Sequence, residues 1–87
     1  MDVHIISQTE ENGNVNCSIA ICQEMTCMQK NMVISQEIIK KHNDLDLEQI
    51  ATKALTFLTG KNLTLEELGS TIVLGEYIQK YNDFELK

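Results

Sequence analysis

The sequence predicts an α+β fold: an N-terminal antiparallel β-hairpin, with a possible third strand, packed on a C-terminal helical hairpin. Three observations predict it. Two segments near the start alternate apolar and polar residues around a turn cluster. Capping signatures of one form stand at Asp46 and Thr64. Only Gly60 to Leu63 separate the helices these signatures open, so those helices should be antiparallel neighbours.

Val3 to Ser7 and Val15 to Cys22 read as two strands. Between them Glu10 to Asn14 form a turn cluster, with Gly13 free to take positive φ. In the second strand Val15, Cys17, Ile19 and Ile21 share one face, and Asn16, Ser18, Ala20 and Cys22 the other. The first face belongs against the helices, with Val3 and Ile5 as its partners. His4 and Ile6 then point outward. The second strand has no charge or proline to protect it. At a sheet edge it would invite strand-to-strand dimerisation.

Gln23 to Ile34 supports two readings. Met25, Cys27 and Val33 alternate as in a strand, whereas Met25, Met28 and Met32 fit helical spacing. A third strand is expected near Met25 to Gln29. Ser35 then caps a short helix, Gln36 to His42, whose Ile38 and Ile39 point to the core.

Asp46 can accept from the free N–H groups of a first helical turn, and Gln49 sits where a capping-box partner belongs. Leu45 and Ile50 are placed as a hydrophobic staple. From Leu47 to Thr59, residues Leu47, Ile50, Ala51, Ala54, Leu55, Phe57 and Leu58 fall within an arc of roughly 160°. Gly60 is the expected left-handed stop. Thr64, Glu67, Leu63 and Leu68 repeat the cap, box and staple, and predict a second helix running to Tyr81. Gly69 and Gly75 each oppose it by about 1 kcal/mol, and the β-branched run Thr71 to Val73 competes as a strand. The strong cap favours a helix, bent at a glycine.

That second helix carries two apolar arcs. Leu65, Leu68, Ile72 and Val73 continue the hairpin and face the first helix. Leu74, Tyr77, Ile78 and Tyr81 lie on the opposite side of a straight helix. They are either core reached by a bend or a face for a partner or a second copy, where tyrosine is enriched.

The chain of 87 residues is read as one domain, residues 1–87, and its 43% apolar content supports one core. No signal peptide opens it and no apolar run spans a membrane, so a cytoplasmic protein without membrane contact is expected. The net charge is −6 and all seven basic residues are lysines. A nucleic-acid partner is not expected, because such binders use arginine and a basic stripe. Lys40, Lys41 and His42 suit a helix C-terminus, whose dipole favours cations. Leu63 to Leu68 also resembles the first helix of a helix-turn-helix motif. The segment after it, however, offers Ile72, Val73, Leu74 and Glu76 where a recognition helix needs basic or amide residues.

Cys17, Cys22 and Cys27 are spaced by five, unlike the close pairs of a zinc site. On a strand Cys17 and Cys22 face opposite ways. An odd thiol count without a secretion signal argues against a disulfide framework, and Cys17 reads as a small buried hydrophobe. His4 reads as a bystander, and His42 to Asp46 lack the glycine and terminal glutamate of a calcium loop. No metal or cofactor is expected. No catalytic motif is present, so the chain is not expected to be an enzyme.

The expected function is a small acidic protein–protein interaction or regulatory module. It would act as a homodimer or as the small partner of a larger protein, through Leu74, Tyr77, Ile78 and Tyr81. Two alternatives compete with it. One is a phage-type acidic inhibitor occupying a nucleic-acid-binding site on an enzyme. The other is a small thiol or metal protein.

Overall fold

In a computed structural model that describes residues 1–86, Asn12 and Gly13 close a tight turn with φ of 53° and 79°. Positive φ at both central positions matches the twist of a hairpin, which is why Asn-Gly is favoured there. The strands it joins, β1 (Asp2–Glu11) and β2 (Asn14–Gln23), are longer than the alternation alone predicts. The turn cluster narrows to its two central residues, and Glu10 and Glu11 join β1. A bulge between Ile5 and Ser7 interrupts the β1–β2 register.

Glu24, with φ of 56°, and Met25 make a second two-residue turn, and β3 (Thr26–Ser35) runs back antiparallel to β2. The third strand therefore exists, but it extends well past Gln29, and Met25 lies in the turn, fully exposed. Lys30, Met32 and Ile34 face the core. Ser35 ends the strand and caps α1 (Gln36–Lys41) by accepting from the Ile38 N–H at 3.3 Å.

Helix α2 (Leu47–Gly60) follows its sequence signals closely. Asp46 accepts from Gln49 N–H at 2.8 Å, and the Gln49 side chain accepts from Asp46 N–H at 2.9 Å. Ile50, Ala51, Ala54, Leu55 and Leu58 are buried, and Leu47 and Phe57 pack at the margin of the core. Its stop differs from the expected one. Gly60 ends the helix itself, and Asn62 takes the left-handed conformation at φ 67°. Asn62 N–H donates to Thr59 O and Leu63 N–H to Leu58 O, the two bonds of a Schellman stop.

The predicted second helix is not continuous. Thr64 and Glu67 form their reciprocal cap, with Glu67 N–H donating to Thr64 Oγ1 and Thr64 N–H to Glu67 Oε1. A single turn comes next, and Gly69, at φ 78°, breaks it. Thr71–Val73 then form β4, parallel to β3, with Asn31, Met32 and Val33 opposite Thr71, Ile72 and Val73. Only α3 (Leu74–Lys80) is helical beyond that. The β-branched run prevails over the cap because pairing with β3 buries Ile72 completely.

The sheet order is β1-β2-β3-β4. This places β2 in the middle, paired on both sides, so dimerisation through β2 is excluded and the open edges belong to β1 and β3–β4. One core, drawn from the inner faces of all the strands and from α1, α2 and α3, holds the molecule together. No helix among the described residues is long and apolar enough to cross a membrane.

Candidate functional site

The four residues singled out as a contact face separate in the fold. Leu74 is fully buried in the core. Tyr77, Ile78 and Tyr81 are half-buried and pack against that core from outside. The premise of a straight helix with two opposed arcs does not hold, because Leu65 and Leu68 lie in the turn, Ile72 and Val73 in β4, and α3 begins at Leu74. The three partly exposed side chains join a C-terminal apolar surface with Phe57, Phe84 and Leu86.

This surface is organised by aromatic contacts. Phe57 meets Tyr81 edge-on with ring centres 6.0 Å apart, and Phe84 at 4.6 Å. Lys61, from the end of α2, holds its Nζ 5.2 Å from the centre of the Phe57 ring and pairs with Asp83. The Lys61 ammonium lowers the Asp83 carboxyl below its ordinary range, chiefly through their hydrogen bond. Beside α3 a groove of about 290 Å³ runs over Ile38, Ile78, Phe84 and Leu86, with Lys41 and His42 on its rim.

The thiols also separate. Cys17 is buried on the inner face of β2, and burial raises its pKa. Cys22 and Cys27 occupy facing positions of β2 and β3 and are joined by a disulfide. This corrects the expectation that no disulfide forms. The two-residue turn at Glu24–Met25 brings them together, a register that cysteine spacing alone does not reveal. Among the described residues His, Cys, Asp and Glu do not gather in threes as a metal site would require.

A larger groove, about 540 Å³, lies beneath the β2–β3 tip. Its apolar lining comes from Ile21, Met28, Leu63 and Leu65, and among the described residues its charged lining is Glu24 and Glu66. Sequence reasoning missed it, since its walls come from segments about forty residues apart. Sequence reasoning also missed Lys30, the one buried charged residue among those described. Its Nζ donates to the Gly69 carbonyl and ties β3 to the approach of β4. No known protein family, curated protein or solved structure matches the chain.

Proposed function

We propose that this protein is a non-enzymatic protein–protein interaction module that associates with a second copy of itself, and that it works in the cytoplasm. The observation that supports self-association is the group Tyr77 and Ile78 on the seven-residue helix α3 and Tyr81 at its C-cap, large side chains left half-exposed. Leu74 anchors that group from within the core. Tyrosine beside aliphatic side chains is the composition favoured at the centre of interfaces. A net charge of −6 keeps the rest of the surface soluble.

Location bears on the disulfide. Cytosolic thiols are held reduced, so in that compartment Cys22 and Cys27 would spend most of their time as thiols.

Light scattering across a concentration series tests the reading. The parent should shift from monomer to dimer mass, and Ile78→Glu should remain folded and monomeric. A parent that stays monomeric throughout, or an Ile78→Glu variant that still dimerises, defeats it.

A further inference from the structure

The two edges of the sheet are finished differently. Along β1 the edge is guarded: it carries Asp2, Glu10 and Glu11, it is bulged after Ile5, and the Ile5 N–H donates to the Glu48 carboxylate at 3.3 Å. Charges and bulges are the usual protection against adding another strand. The β3 edge has no such finish over its first half. β4 covers only Asn31–Val33 of the ten residues of β3.

The direction of the open groups is set by the ladder. Asn31 N–H points away from β2, since it donates to Ser70 O at 2.9 Å. Alternation then turns the N–H and C=O of Cys27 and Gln29 the same way. Among the described residues no backbone bond outside the strand pairings reaches either residue. Lys30 does not guard this edge, because its side chain is buried and bound to the Gly69 carbonyl.

This open stretch adjoins the groove beneath the hairpin tip, which Thr26 and Met28 of β3 help to line. A strand laid along Cys27 and Gln29 would send alternate side chains to the helix side of the sheet, where the apolar lining lies.

We propose that the groove binds an extended peptide segment of another protein, added as a short strand to the open half of β3. Its apolar side chains would rest on Met28 and Leu63, above the buried Ile21 and Leu65, and a lysine or arginine would face Glu24 and Glu66. Charge selects this occupant over a second copy. A second copy meeting this edge through its own open β3 would bring the same Glu24 and Glu66 and no exposed cation, since Lys30 is buried. The proposal rests on the reading of the protein as an interaction module and adds a site separate from α3.

The test titrates isotope-labelled protein with an acetylated hexapeptide that carries valine, valine and lysine at alternate positions with serine between them, and with a counterpart in which glutamate replaces the lysine. The lysine peptide should cause saturable amide shifts at Cys27, Gln29 and Leu65, and the glutamate peptide none. Gln29→Pro should abolish binding without unfolding, because its N–H lies outside the β2 ladder. Should that variant fail to fold, Glu24→Gln with Glu66→Gln provides the second arm, with binding about tenfold weaker. Equal binding of both peptides, no saturation, or shifts confined to other surfaces overturns the proposal. So does movement of the Cys27 and Gln29 amides with protein concentration alone, which would place a second copy there. Dimerisation through α3 is measured separately, so either reading can fail while the other stands.

Discussion

Helix α2 and the segment after it begin with the same local chemistry and end differently. Asp46 with Gln49, and Thr64 with Glu67, both form complete capping boxes. After Asp46 come fourteen helical residues. After Thr64 comes one turn, a left-handed glycine, a three-residue strand and a seven-residue helix. A capping box therefore sets where a helix can start and says little about how far it runs. Length depends on the residues downstream of the cap. Ala51, Lys53, Ala54, Leu55 and Leu58 are strong helix formers, and Ile50, Ala51, Ala54, Leu55 and Leu58 form a continuous buried face. Gly69, Thr71, Ile72 and Val73 are not, and the edge of β3 offers them a competing ladder.

The largest expected effects test whether both arms are core. Leu55→Ala and Ile72→Ala each remove a fully buried aliphatic side chain, and each should cost about 2–5 kcal/mol in urea unfolding. A near-neutral Ile72→Ala would mean that β4 does not dock on β3.

Gly69→Ala separates the two arms by sign. A Cβ there meets nothing within 4 Å, so only the left-handed backbone opposes it. The variant should lose about 1–2 kcal/mol. Within a continuous helix the same change would instead gain about 1 kcal/mol. Stabilisation would restore the long second helix and remove β4.

The caps give a smaller contrast. Asp46→Ala and Thr64→Ala should each cost about 1 kcal/mol. Far-ultraviolet circular dichroism should show fraying of α2 in the first and almost no loss of helicity in the second, since only one turn succeeds Thr64. Comparable loss of helicity in both would make the arms alike.

The smallest effect concerns Asp83, whose tail returns to the end of α2. Its folded pKa lies below the unfolded value. Its contribution is therefore present above the unfolded value, near 3.9, and is lost as pH falls through the folded one. Asp83→Asn should flatten that part of the stability profile and leave neutral pH almost unchanged, because exposed pairs contribute little. An unaltered acid limb would show that Lys61 does not hold this carboxylate in solution.

Legibility in the sequence depends on the range of the interactions involved. The buried stripe of α2 and the inward row Val15, Cys17, Ile19 and Ile21 are strictly periodic, and both are core as expected. Met25, Met28 and Met32 are ambiguous because flexible, unbranched methionine fits either period. The contact face fails at Leu74, because its position there assumes a helix that in fact stops after one turn. The groove beneath the tip has no local signature at all.

The α+β class, a turn within Glu10 to Asn14, the starts of α1 and α2 with their N-caps, and the inward faces of the first two strands are legible in the chain alone. Each of these depends on residues within a few positions of one another, where sterics and hydrogen bonding act without knowledge of the rest. Contacts between separate elements fix the rest: that β2 is central, that Cys22 faces Cys27, that Lys30 is buried against Gly69, and that Thr71–Val73 is a strand. The last shows the reason most clearly. A parallel strand has no hydrogen-bond partner until β3 lies beside it, so its preference could be realised only after the sheet had formed.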